Sequence, residues 1–105
     1  IVVATMFNSE NNYDKQNEFI EAYINKYSTQ PDVWAVQGYE SIKLLAYAIG
    51  KAQTPTPPEI AEILRSDKEW QGILGPAEFN ANGEMIGRSI YKKIVRDGKF
   101  EYLEN

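Results

Sequence analysis

Cysteine and histidine are both absent from this 105-residue chain. Without cysteine there is no disulfide framework, no thiolate nucleophile and no sulfur-ligated metal. Without histidine, Ser-His-Asp and Cys-His catalysis, His-ligated zinc and the usual proton shuttle near neutral pH are excluded as well. A basic surplus is also lacking: 11 Lys and Arg stand against 15 Asp and Glu, a net charge of −4. Nucleic-acid binding draws on cationic side chains that displace counterions from phosphates, so no nucleic-acid partner is expected. No apolar run approaches the roughly 18 to 20 residues that cross a bilayer. The opening IVVATMFN lacks the basic flank and small-residue cleavage site of a signal peptide.

What is present fits a folded domain. Hydrophobic residues make up 43 % and charged residues 25 %, and two Trp, seven Tyr and four Phe supply too much apolar area for a disordered chain. The length allows one small domain with one modest core. Ile1 to Phe7 is β-branched and almost wholly apolar, which predicts a strand covered on both faces, as in a parallel sheet. A strand of that type at the first residue leads to the expectation that this chain is a piece of something longer.

Three helical patterns follow. Phe19, Ile20, Tyr23, Ile24 and Tyr27 recur at 3- and 4-residue spacing and predict a helix over Asp14 to Tyr27, ended by Ser28-Thr29-Gln30-Pro31. Asp32 predicts the N-cap of a second helix, whose core stripe is Tyr39, Ile42, Leu45, Ala46 and Ile49 and whose end lies near Gly50. Thr56-Pro57-Pro58-Glu59 predicts a capping box opening a short third helix to about Ser66, with Ile60, Ile63 and Leu64 inward. The last third changes period. Asn82-Gly83 predicts a hairpin turn with positive φ at both residues, Ser89 to Val95 a strand, and Asp97-Gly98 a second tight turn before Lys99 to Leu103.

No motif for chemistry emerges. The carboxylate pairs Glu10/Asp14 and Glu59/Glu62 sit at helix starts, where acids complement the helix dipole. Ser41/Lys43 and Ser66/Lys68 lack any nucleophile motif. Asn80, Asn82, Gly83 and Glu84 depart from the calcium-loop spacing, so a turn is expected and no metal. Lys92, Lys93, Arg96 and Lys99 read as a solvated strand face with edge-protecting lysines. Trp34, at a loop-to-helix junction, has two readings: a core anchor against the first helix, or an aromatic wall of a ligand cleft beside free helix N–H groups.

Taken in order, IVVATMF, NEFIEAYINKY, PDVWAVQGYESIKLLAYAIGKA, TPPEIAEILRS, WQGILGPAEFNANGE and SIYKKIVRDGKFEYL resemble the C-terminal third of periplasmic-type solute-binding proteins of ABC importers, in the branched-chain amino-acid-binding branch. Pro31 through Ser41, the Gly72…Gly75…Phe79-Asn80-Ala81-Asn82-Gly83 pattern and the closing Val95-Arg96-Asp97-Gly98-Lys99-Phe100 carry the resemblance. Ser41, where the family often has alanine, and Asn80, where its turn has aspartate, depart from it.

The resemblance implies an α/β chain that is the C-terminal portion of a two-lobed type I periplasmic binding fold, incomplete on its own, with ligand held between the lobes. On that mapping, residues 1–7 are a second-lobe strand and hinge crossing, 8–88 a first-lobe segment of three helices and a hairpin, and 89–105 the return to the second lobe. Phe7 and Asn8 are expected at the hinge, where the strand pattern stops abruptly. Trp34, Val36 and Gln37 are expected at the ligand: an aromatic contact, a pocket wall and a hydrogen-bonding amide.

The implied function is non-catalytic binding of an amino acid or similar small polar molecule for import, without a cofactor, outside the cytoplasm (periplasmic or extracellular, lipid-anchored through an N-terminus outside this chain). The implied partners are the small-molecule ligand, an ABC transporter membrane permease and the N-terminal remainder of the same protein. Self-association of the isolated chain, by strand exchange, is expected as well. A ligand-sensing regulator or receptor domain of the same fold, and a self-contained small α/β interaction module, are the alternatives.

Overall fold

The computed structural model describes residues 2–103. Ile1, the expected first strand residue, and residues 104 and 105 lie outside the described residues. The element order is β1 (Val2–Thr5), α1 (Asp14–Tyr27), α2 (Val33–Lys51), α3 (Pro57–Ser66), β2 (Gln71–Gly72), β3 (Gly75–Pro76), β4 (Glu78–Phe79), β5 (Met85–Ile86), β6 (Tyr91–Arg96) and β7 (Lys99–Leu103).

Two bodies result. β1, β6 and β7 form an antiparallel sheet in the order β1-β6-β7, with Val2 opposite Ile94 and Val95 opposite Phe100. The helices and the short hairpins β2–β3 and β4–β5 form the other body. The sheet does not pack broadly on the helices. The radius of gyration of 15.9 Å accordingly exceeds the about 13 Å of a compact domain of 100 residues. The core lies wholly in the helical body: Phe7, Val36 and Ile73, with Phe19, Ile20, Val33 and Leu74 packed around them.

Local chemistry explains most element ends. The Asp32 carboxylate accepts the Ala35 N–H at 2.8 Å and caps α2 as expected. α1 closes on Ser28, whose left-handed backbone (φ 59°) lets its N–H reach the Ile24 carbonyl at 2.8 Å. At Asp97-Gly98 both residues have positive φ, and the two-residue turn places Arg96 opposite Lys99.

Several expectations are corrected. β1 is not covered on both faces in a parallel sheet. Its described neighbour is β6, antiparallel, and Val2 is 58 % exposed. The strand expected over Ser89 to Val95 runs from Tyr91 to Arg96. The capping box of α3 does not form. Thr56 makes no side-chain cap, and the Glu59 carboxylate instead accepts the N–H groups of Gln53 and Thr54 at 2.9 and 3.1 Å, tying down the preceding loop. The hairpin at Asn80 to Gly83 forms, but only Gly83 of the Asn-Gly pair has positive φ. The Gly83 N–H closes on the Asn80 carbonyl at 3.0 Å, a three-residue-loop geometry that needs one left-handed residue and not two.

The largest correction concerns α2. Its buried face is Val36, Glu40 and Ala48, whereas the stripe expected inside, Tyr39, Ile42, Leu45 and Ile49, is exposed, with Ile42 at 67 %. Periodicity identifies an apolar face correctly here, but among the described residues each of these four side chains keeps more than two fifths of its surface open to solvent, even Tyr39, which meets Phe19 of α1.

Candidate functional site

Two connections join the bodies: residues 6–13 from β1 to α1, and residues 87–90 from β5 to β6. On the first, Phe7 is buried in the core of the helical body. The Asn8 carbonyl accepts from Gln16 Nε2 at 2.8 Å, and the Asn11 carbonyl accepts from the same nitrogen at 3.2 Å. The two residues expected at a hinge are thus the first ones the helical body grips. From the sheet side, Tyr102 donates its hydroxyl to the Phe7 carbonyl at 3.3 Å and accepts the Ser9 N–H at 3.1 Å. The Tyr91 hydroxyl accepts from Asn11 Nδ2 at 2.9 Å. Hydrogen bonding to Tyr91 also raises the pKa of the Tyr13 phenol above its ordinary value.

The second connection is gripped at its start. Arg88 forms a bidentate ion pair with Glu40 of α2, and Glu40 Oε1 also accepts the Leu74 N–H at 2.9 Å. One carboxylate therefore fixes both the β2–β3 turn and the exit toward β6.

The start of α2 separates its three expected ligand residues. Trp34 is 74 % exposed, which removes the core-anchor reading within the described residues and leaves the indole free for contact. Val36 is fully buried against Phe7 and Ile73. Gln37 is half-buried and lines a cavity of about 220 Å³ with Met6, Leu44, Met85 and Arg88. The structure does not bring all three onto one surface: Trp34 and Gln37, three positions apart, share a side of the helix, whereas Val36 points into the core.

A larger groove of about 820 Å³ runs between α1 and α2. Phe19 lies 4.7 Å from Tyr39 and 5.9 Å from Tyr23, centroid to centroid, and Tyr23 stands 4.7 Å from Tyr27. Lys26 and Lys43 sit over the outer tyrosine rings, and Lys15 Nζ donates to the Gln71 carbonyl at 2.7 Å. The basic cluster does not form the edge-protecting face expected: Lys92, Lys93 and Arg96 stand on β6, the middle strand of the sheet, and only Lys99 is on the edge strand β7, while Lys93 lies over Tyr102 and Phe100 and Arg96 pairs with Glu101. In the Asn80 turn the side-chain carbonyl accepts from the N–H groups of Asn82 and Glu84. Among the described residues no group of three acids stands close enough to hold a metal.

Sequence reasoning missed Gln16, Glu40, Arg88, Tyr91 and Tyr102. Two of them carried a signal. Gln16 precedes Phe19 and Ile20 by three and four positions, and Glu40 lies four beyond Val36, so each is a polar residue on a buried helix face. The others act across the chain and have no local signature.

Residues 1–99 match the family described as periplasmic binding protein. The Leu/Ile/Val-binding protein homolog 1 of Brucella abortus is 26 % identical across 97 % of this chain and 28 % of its own length. The crystal structure of an ABC transporter substrate-binding protein from Desulfitobacterium hafniense in complex with Leu is 33 % identical, with a TM-score of 0.89 over 97 % of this chain and 30 % of that one. The leucine binding protein LivK of Thermotoga maritima is 25 % identical, with a TM-score of 0.86 over 99 % of this chain and 30 % of that one. The chain thus spans less than a third of the length of these relatives, and its helices and short strands form a partial two-lobed binding fold. On this match across nearly its whole length, the chain belongs to the periplasmic binding protein family.

Proposed function

We propose that this chain is the C-terminal part of an extracytoplasmic solute-binding component of an ABC importer, periplasmic or extracellular, that takes an aliphatic amino acid between two lobes. The helical body, residues 8–88, belongs to the first lobe. The sheet of β1, β6 and β7 belongs to the second. Phe7 and Asn8 mark the hinge crossing. The observation that carries the reading is the two-body geometry joined by two short connections, in a chain similar over 97 % of its length to a protein solved with bound Leu.

Trp34 is the leading ligand contact: it is exposed, apolar and set beside the N–H groups that open α2. Gln37 supplies an amide from the half-buried wall below it, and Val36 shapes the cleft from within the core by holding the start of α2 against Phe7. The N-terminal remainder of the protein covers the apolar stripe of α2, and a membrane permease receives the closed form. No catalytic step is part of this role.

Calorimetry with L-leucine on the full-length protein tests the reading. Trp34→Ala is expected to weaken binding by about 1 to 3 kcal/mol, the cost of truncating a buried aromatic contact, with an unchanged denaturation midpoint. Unchanged affinity refutes the placement of Trp34 at the ligand.

A further inference from the structure

We propose that Tyr102 and Tyr91 are positioning residues: their hydroxyls latch the sheet to the helical body across the hinge and set how freely the two bodies rotate. The inference rests on the hinge reading above and extends it to residues outside the crossing itself.

Residues 7–11 are held from both sides. The helical body holds them by burial of the Phe7 ring and by Gln16, which is itself fully buried and donates to both Asn8 and Asn11 carbonyls. These bonds lie inside one body, so they persist whatever the sheet does. The tyrosine bonds are different, because donor and acceptor belong to different bodies. The Tyr102 hydroxyl donates to Phe7 O at 3.3 Å and accepts from Ser9 N at 3.1 Å and Ser9 Oγ at 3.4 Å, which fills its hydrogen-bonding capacity. Tyr91 stands at the first position of β6, where the second connection ends, and accepts from Asn11 on the first. The two connections are therefore tied to each other through Tyr91.

The anchors also locate the pivots. Phe7 is fixed by the core, Arg88 by Glu40, and Thr5 and Tyr91 by the sheet. Met6 on one connection, bridged by the Phe7 N–H that donates to Thr5 Oγ1 at 3.3 Å, and Ser89-Ile90 on the other lie between these anchors, so the pivots fall there. Any such rotation moves Tyr102 relative to the fixed Phe7 carbonyl and breaks or strains its bonds. A contact made in one arrangement and absent in another biases the equilibrium between them.

The test uses the full-length protein with spin labels at Glu62→Cys on α3 and Lys99→Cys on β7, one on each body, which read the separation without ligand. Tyr102→Phe and Tyr91→Phe keep the ring and remove only the hydroxyl. Each is expected to widen the ligand-free distance distribution and to change L-leucine affinity two- to ten-fold, about the effect of one net hydrogen bond. Tyr47→Phe, which removes a hydroxyl bond to Asp67 within the helical body, serves as the comparison: it is expected to lower thermal stability without widening the distribution. If Tyr102→Phe and Tyr91→Phe behave as Tyr47→Phe does, the latch is refuted. If they widen the distribution but L-leucine fails to bind any form, the ligand reading falls and the latch stands.

Discussion

Arg88 and Glu40, 48 residues apart in the chain, meet as an ion pair with Nη1–Oε2 at 3.0 Å and Nη2–Oε1 at 3.4 Å, their side chains only 5 % and 10 % exposed. Burial makes the pair costly to break and of modest net value when intact, since each charge has given up its water. Arg88→Met leaves a buried carboxylate whose remaining partner is the Leu74 N–H. A loss of about 3 to 5 kcal/mol is expected. Glu40→Met/Arg88→Met together is expected to lose much less. Urea denaturation of Arg88→Met, Glu40→Met and the double variant measures the coupling, and additive losses would show that the pair is not acting as one unit.

Asp67 predicts the acid limit of the helical body. Its carboxylate accepts from Lys51 Nζ at 2.8 Å, from the Tyr47 hydroxyl at 2.9 Å and from the N–H groups of Glu69 and Trp70. The Lys51 ammonium, foremost, holds the carboxyl well below the usual carboxylate range. A depressed folded-state pKa contributes stability that is fully present above the unfolded value of about 4 and is lost as pH falls below it. Asp67→Asn is expected to flatten the fall of the urea midpoint between pH 4 and pH 2. An identical slope in wild type and variant would remove Asp67 from the acid transition.

Gly72 is required for space. A Cβ there would run into the Glu40 carboxylate and the Trp70 ring, and Glu40 cannot yield without releasing Arg88 and Leu74. Gly72→Ala is expected to cost about 1 to 3 kcal/mol, the range for overpacking. Gly38→Ala, where a Cβ meets nothing within 4 Å in mid-helix, is expected to stabilise by about 0.5 to 1 kcal/mol. Thermal unfolding of the two variants should shift in opposite directions.

The exposed stripe of α2 gives the isolated chain a reason to associate. Ile42, Leu45 and Ile49 form a contiguous apolar face, and the β1 residues Val2 and Val3 are exposed at a sheet edge. Sedimentation of the isolated chain is expected to give a mass above 12.0 kDa. Ile42→Lys/Leu45→Lys is expected to lower it. A monomer at that mass before any substitution would show that the stripe tolerates water.

The sequence by itself determined the parts of this protein that depend on near neighbours. The bounds of α1, the Asp32 cap and the turn at Asp97-Gly98 follow from 3.6-residue periodicity, one side-chain acceptor and two residues that tolerate positive φ. Tertiary structure decided what depends on distance along the chain. Whether Val36 or Ile42 of α2 is buried turns on what lies opposite, and a helical period records that a face is apolar without recording its partner. Phe7 and Asn8 could be placed at a break in the strand pattern. The groups that grip them could not, because Tyr102 reaches Phe7 across 95 residues, and a hydroxyl at the end of a strand has the same local signature whether it faces water or closes a hinge.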